Sequence, residues 1–253
     1  MHHFFIQERP DGERVSITGA DVNHIKNVLR MKPGEKILVS CTDGPDYLCC
    51  IGEISSEQVL ADILEIDEVR RELPARLHLF QGLPKSDKME LIIQKAVELG
   101  AIEIIPVAMH NCVVKLDEKK ETARGKRWGA IAESAAKQSK RSVIPAVHSL
   151  MSYGEAMTYA CTMDLVLVPY ECTKGMEETK AALELVRPGM DIGIFIGPEG
   201  GFTEEEIKQA LLAGGRPISL GKRILRTETA GLAILSVLMM QLEMENNCGS
   251  IFR

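Results

Sequence analysis

The chain has 253 residues, 45% hydrophobic content and a formal net charge of −6. That length suggests one or two domains at ~150 residues each, with ample apolar material for a core. The longest uncharged apolar run, Ala230 to Leu242, falls short of the ~20 residues of a membrane span, and the start MHHFFIQERPDGE lacks the pattern of a signal peptide, so a cytoplasmic protein with no membrane partner is expected.

In chain order, the first third is β-rich. RVSI, EKILVSC, YLCCIGEI and VLADILEI are short runs rich in β-branched residues, with TDGPD and SSEQ between them as turns. DVNHIKNVLR predicts a short helix with Asp21 as N-cap. Its apolar set, Val22, Ile25, Val28 and Leu29, follows helical spacing and leaves Lys26 and Arg30 outside. Together these suggest a small barrel-like module. A charged linker, EVRRELPAR, follows, and Pro74 marks the boundary, giving domains of 1–72 and 73–253.

Beyond Pro74 strands alternate with helices. RLHLFQ predicts a strand, and DKMELIIQKAVELG a helix capped by Asp87, with Glu90 three residues on and Gly100 at its end. The strand IEIIPV follows, then a helix at RWGAIAESAAKQSKR, the strand DLVLVP and a helix from Met176 to Val186. The strand DIGIFIG, a helix from Thr203, the strand RPISL and a last helix from about Thr229 complete the order. Alternation with continuous apolar strands argues for an α/β fold with a mostly parallel sheet covered on both faces. The last helix, AGLAILSVLMMQLEM, is apolar on nearly every face, which points to a second subunit as part of its cover.

Seven cysteines without CxxC spacing read as buried reduced thiols, and Cys49 and Cys50 would alternate faces on a strand. Six histidines show no ligand spacing, so no metal is expected. The charge is uneven: the stretches Arg14 to Lys36 and Lys115 to Arg141 are basic on an acidic chain. Such patches can track a phosphate backbone, and they also fit solvated faces. Arg14, Lys26, Arg30, Lys32, Lys137 and Lys140 are the candidate RNA contacts.

Ligands of open α/β sheets sit beyond the carboxyl ends of strands. Three late strands end in unusual loops: LVPYE, FIGPEGGFT and SLGKRILRTETA. The second matches neither a dinucleotide fingerprint nor a phosphate loop. Pro198 has no N–H, Glu199 adds negative charge, and Thr203 with Glu206 forms a capping box that satisfies the helix start. Gly197, Gly200 and Gly201 still permit close approach of something flat. A nucleoside-like, preferably cationic ligand without phosphate fits, and S-adenosylmethionine answers that description; a tight turn feeding a capped helix is the plainer alternative. In the third loop Lys222, Arg223 and Arg226 crowd a short connection, and Thr227 and Thr229 offer N-caps for the last helix.

IGPEGGFTEEEI followed by SLGKRILRTETAGLAILSVL resembles the signature of the ribosomal RNA small subunit methyltransferase E (RsmE) family, which methylates uridine N3 in 16S rRNA and belongs to the knotted SPOUT class. The likeness extends to HFF, HIKNVLRMKPGEKI, LFQGLPKSDKMELIIQKAVELG and RWGAIAESAAKQSKRSVIPAV, in order along most of the chain. It implies a PUA-like RNA-binding β-barrel, then a SPOUT α/β domain with a parallel sheet and trefoil knot. It further implies a homodimer acting on 16S rRNA or the assembled small ribosomal subunit. S-adenosylmethionine would lie among three loops: Val168, Pro169, Tyr170 and Glu171; Ile196, Gly197, Pro198, Glu199, Gly200 and Gly201; and Leu220, Gly221, Ile224 and Leu225, with Thr229 nearby.

For uridine N3 methylation, Arg226 is the candidate for stabilising the uracil anion, and Glu228 or Glu199 for orienting or accepting the proton. Arg141 resembles the arginine that related knotted ribose methyltransferases place near the acceptor; a solvated helix end is its other reading. The rival functions are a 2′-O-ribose methyltransferase of the same class and a non-catalytic RNA-binding ribosome-assembly protein.

Overall fold

The computed structural model describes residues 1–42, 44–68, 71–114, 116–171 and 175–248. Asp43 of the TDGPD turn, Val69 and Arg70 of the linker, and Lys115 of the second basic stretch lie outside the described residues. The chain divides into two compact units. Met1–Glu72 joins Ala136–Ile144 in the first; Leu73–Ala135 joins the described residues from Pro145 onward in the second.

The first unit is a five-stranded, barrel-like sheet. Its strands are β1 (His2–Ile6), β2 (Arg14–Thr18), β3 (Lys36–Cys41), β4 (Asp46–Ile54) and β5 (Gln58–Asp67), in the order β1-β3-β4-β5-β2. Phe4, Ile17, Ile25, Ile37, Ile51 and Val59 fill one core beneath it. Four of these strands match the β-rich runs; β1, at HHFFI, has no counterpart among the expected strands and pairs parallel to β3.

The expected helix at Asp21 forms differently. α1 (Ala20–Asn23) is a single turn with Gly19, not Asp21, at its N-cap, and it continues as a π-helical turn over His24–Val28. The wider π turn rotates Val28 out of the apolar stripe, so Val22 and Ile25 are buried while Val28 is exposed. Cys49 is buried and Cys50 half-buried, and burial pushes the Cys49 thiol up to about 12. Cys161 is exposed, so the thiols are not all interior.

The second unit carries a parallel sheet: β6 (Arg76–Gly82), β7 (Ala101–Ala108), β8 (Ala146–Val147), β9 (Met151–Ser152), β10 (Leu165–Pro169), β11 (Asp191–Ile196) and β12 (Arg216–Ile218). The order is β12-β10-β11-β6-β7-β8, with β9 also on β7. Helices α2 (Lys88–Glu98), α4 (Tyr153–Ala160), α5 (Glu177–Leu183) and α6 (Glu204–Leu212) connect strands, and α7 (Thr227–Cys248) follows the last of them. α3 (Glu118–Ser139) begins well before the expected Arg127, and its residues from Ala136 belong to the first unit. α4 and the two short strands before it fall in a stretch that periodicity left without elements, although Ser152 and Glu155 form a full capping box there.

Apolar strand runs are buried on both faces, as a covered parallel sheet requires. Phe80 of β6 stacks on Phe195 of β11 with ring centroids 4.3 Å apart. Among the described residues no helix is long and apolar enough to cross a membrane.

Candidate functional site

β10, β11 and β12 are adjacent, so their carboxyl ends deliver the three unusual loops to one place. A cavity of about 460 Å³ lies there. Its wall takes Pro169, Tyr170 and Glu171 from the first loop, all of Ile196 to Gly201 from the second, and Leu220, Gly221, Ile224 and Leu225 from the third.

Backbone geometry shapes the second loop. The Gly201 N–H donates to the Pro198 carbonyl at 2.9 Å, closing a tight turn in which Gly201 holds φ +69°. Asn111 Nδ2 donates to the carbonyls of Gly200 (3.0 Å) and Gly201 (3.2 Å), tying the turn to the residues after β7. A Cβ on Gly200 would stand 2.8 Å from Asn111 Cβ, so only glycine permits that approach. The Thr203–Glu206 capping box forms: Thr203 Oγ1 accepts from the Glu206 N–H, and Glu206 Oε2 accepts from the Thr203 N–H.

Charge at the cavity differs from what composition suggested. Glu199 is not an isolated acid. Its Oε1 accepts from the Lys85 N–H at 3.1 Å and from Lys88 Nζ at 3.2 Å. Lys88 Nζ also lies 3.1 Å from Glu228 Oε2. That second contact has the distance of an ion pair without hydrogen-bond geometry, and it leaves Glu228 Oε2 buried with no hydrogen-bond donor. Burial raises the Glu199 carboxyl, but its own N–H, the Lys85 N–H and Lys88 outweigh it and hold the group below its ordinary value. The Glu228 and Glu199 carboxylates hold the Lys88 ammonium above its ordinary value.

The expected site residues separate into those on the cavity and those behind it. Arg226 lines the cavity and is exposed. Glu228 does not line it and touches it only through Lys88. Val168 is 2% exposed and packs in the core behind its loop, and Thr229 faces solvent outside the lining. Thr227 is no simple cap: its hydroxyl donates to the Gly197 carbonyl at 2.7 Å and accepts from Gln81 Nε2 at 2.8 Å, joining the second and third loops to β6.

Arg141 departs furthest from expectation. It is 4% exposed and bound through its guanidinium to Glu72, within the first unit. A guanidinium so buried and paired is not a solvated helix end, and it is not among the residues lining the cavity.

Lys88, Phe202, Ser219 and Ala230 line the cavity without having been singled out in the sequence. Lys88 had a usable signal: GLPKSDK is itself the loop at the carboxyl end of a parallel strand.

The six basic candidates all fall in the first unit. Lys26, Arg30, Lys32 and Lys140 are exposed. Lys137 Nζ binds Asp21 at 2.9 Å on the helix whose continuation carries Lys26, so the two basic stretches meet at α1. Arg14 is exposed and paired with Asp62 at 2.7 Å.

Residues 71–239 match an RNA methyltransferase domain family and residues 17–64 an RNA methyltransferase PUA domain family. The sequence is 38% identical over 251 residues to the ribosomal RNA small subunit methyltransferase E of Bacillus subtilis (strain 168), covering 96% of this chain and 98% of that protein. The chain belongs to the ribosomal RNA small subunit methyltransferase E family. Its fold is shared by the family protein of Neisseria gonorrhoeae solved bound to S-adenosyl methionine, with a TM-score of 0.79, 33% identity and coverage of 95% of this chain and 98% of that one. A methyltransferase of Legionella pneumophila solved with bound cofactor SAM superposes with a TM-score of 0.82 at 30% identity, covering 94% and 97% of the two chains. Membership in the ribosomal RNA small subunit methyltransferase E family joins both units, a PUA domain and a methyltransferase domain, in one protein.

Proposed function

We propose that this chain methylates N3 of a uridine in 16S rRNA of the small ribosomal subunit, with S-adenosylmethionine as the methyl donor. The observation that carries the proposal is the meeting of three strand-end loops in one glycine-walled cavity, in a chain of this family. The residues fit that donor. About 460 Å³ lies within the ordinary range for small-molecule sites. Gly201 and Gly221, where an added Cβ would meet nothing within 4 Å, leave the wall open to a flat group, and Pro198 and Glu199 disfavour a phosphate. When bound, S-adenosylmethionine would supply an electrophilic methyl group, and uracil N3, which must lose its proton, would take it.

The chain's own groups orient the reactants, worth ~7–11 kcal/mol when the geometry is good. The second and third loops hold the donor largely through backbone. Arg226, exposed on the wall, meets the negative charge that develops on the uracil oxygens. Residues 1–72 form a PUA-like RNA-binding domain; its Lys26, Arg30 and Lys32, with Lys140 from the 136–144 segment of the same unit, track phosphates beside the paired Arg14 and Lys137. Residues 73–253 form the SPOUT methyltransferase domain, with its trefoil knot. Val237, Met240 and Met244 are exposed at helical spacing along α7, which supports a homodimer built on that helix.

Purified protein, S-adenosylmethionine and small subunits from a strain lacking the modification provide the test. Nucleoside analysis of the 16S rRNA is expected to return 3-methyluridine. A 2′-O-methylated nucleoside, or no affinity for S-adenosylhomocysteine by calorimetry, overturns the proposal. Light scattering at micromolar concentration is expected to give a dimer.

A further inference from the structure

Lys88 binds acids from two of the three cavity loops. It starts α2, while Glu199 belongs to the β11–α6 loop and Glu228 to the first turn of α7. Lys88 and Glu199 line the cavity, and Glu228 sits behind them. Oε1 of Glu199 accepts from the Lys85 N–H and from Lys88, and Oε2 accepts from no other described residue. An ammonium has three donors, and Lys88 gives one to Glu199 while its contact with Glu228 lacks hydrogen-bond geometry, so it keeps donor capacity for a ligand. The cavity thus presents an acceptor beside a donor, with the donor anchored from below.

The Watson–Crick edge of uracil places an N3–H donor between two carbonyl acceptors. Resting on the methyl transfer proposed above, we infer that Glu199 and Lys88 read this edge. Glu199 accepts the N3 proton, and Lys88 donates to a flanking uracil oxygen. The N3–H bond breaks with its electron pair left on N3 for the new N–C bond; the proton moves to Glu199 and then to water. The charges favour this order. Glu199, Lys88 and Glu228 sum to −1 before transfer; once Glu199 is protonated the three sum to zero. The negative charge then on the uracil oxygens faces an ammonium that has had one of its two acids neutralised. The same pair rejects cytosine, whose N3 is an acceptor and would meet the carboxylate lone pairs. Glu228 is a positioning residue that acts through Lys88.

Glu199→Gln, Lys88→Met and Lys88→Arg test this in the full-length protein, on small subunits carrying either uridine or cytidine at the target position. Wild-type protein is expected to form 3-methyluridine; its failure to do so overturns the methyl-transfer reading and this one with it. Glu199→Gln is expected to lower kcat ~10²–10³-fold, and Lys88→Met ~10–100-fold with partial recovery in Lys88→Arg. Each is expected to keep its affinity for S-adenosylhomocysteine within about threefold, which also certifies folding. Glu199→Gln offers an amide donor to cytosine N3 and is expected to raise affinity for the cytidine-bearing subunits without methylating them, because the bonded N3 lone pair is the one a methyl group would need. A purely structural role predicts no such gain. Wild-type kcat in either Glu199→Gln or Lys88→Met overturns the inference, as does a loss accounted for by weaker cofactor binding.

Discussion

At the amino ends of β6, β7 and β11, polar side chains are locked to one another. His78 bridges Glu103 and Asp191 at 2.8 Å each, Tyr159 donates to Glu103 at 2.7 Å, and Arg76 closes on Asp191. At the carboxyl ends of β10, β11 and β12, the loops offer backbone groups, exposed cations and one acid–cation cluster around a cavity. The sheet is the same; the polar groups differ in what they leave unsatisfied. The amino-end groups spend most of their hydrogen-bonding capacity on one another, His148 Nε2 excepted, so their worth is stability. The carboxyl-end groups keep capacity in reserve, and their worth appears only when a ligand arrives.

The sharpest way to break this comparison is His78→Ala. It removes the imidazole from between two carboxylates that are each only partly exposed. The expected cost is about 2–3 kcal/mol, a drop of ~5–10 °C in the melting transition of the second unit. Affinity for S-adenosylhomocysteine should stay within about twofold. A variant that melts normally but binds poorly would reverse the roles of the two edges.

The same network predicts how stability follows pH. Burial lowers the His78 pKa, but the bonds to Glu103 and Asp191 outweigh it and raise the folded value above 6.5. Its contribution is therefore complete below 6.5 and is lost as pH rises through the raised value. Arg76 foremost, with His78, holds Asp191 down to about 2, and His148 and His78 hold Glu103 well below its ordinary 4.5. Those contributions are present above the ordinary carboxylate values and fade as pH falls. The network should stabilise most between about 4.5 and 6.5. Denaturant midpoints across pH should decline above that window in the wild type and decline less in His78→Gln. Parallel declines would assign the slope to other groups.

At the other edge, Gly200→Ala places a Cβ against Asn111 Cβ, and the side chain that holds the Gly200 and Gly201 carbonyls must move. Affinity for S-adenosylhomocysteine should fall ~10–30-fold, about 1.4–2 kcal/mol, with the melting transition changed by less than that of His78→Ala. Calorimetry alongside a thermal melt decides, and equal losses in both would mean the loop supports the fold as much as the ligand.

The cavity edge was legible in the sequence where its cause is local. A proline, three glycines and the Thr203–Glu206 box within one short stretch define the second loop, and the structure keeps that geometry. What sequence could not give is the partner of a charge. Glu199 reads as a repelling acid until Lys88, over a hundred residues earlier, is seen 3.2 Å away. Arg141 reads as available until Glu72 is found against it. Val28 fits the helical stripe, and one π turn, which periodicity at 3.6 residues cannot register, turns it outward. The parallel alternation after Pro74 was plain. β1 was not, because its only signal is five residues whose apolar face matters once β3 lies beside them.

The smallest expected effect tests whether burial, rather than pairing itself, separates stabilising charges from binding ones. Arg14 and Asp62 form a 2.7 Å ion pair as short as those around His78, yet their side chains are 65% and 49% exposed. Water competes for both partners, so Arg14→Ala should change the stability of the first unit by less than ~0.5 kcal/mol. If Arg14 contacts a phosphate, the same variant should weaken RNA binding two- to threefold and lower the slope of log affinity against log salt by about one. A stability loss above ~1 kcal/mol with unchanged RNA binding would place Arg14 with the locked residues despite its exposure. Pairing geometry, and not burial, would then be the property that divides the two kinds of polar site.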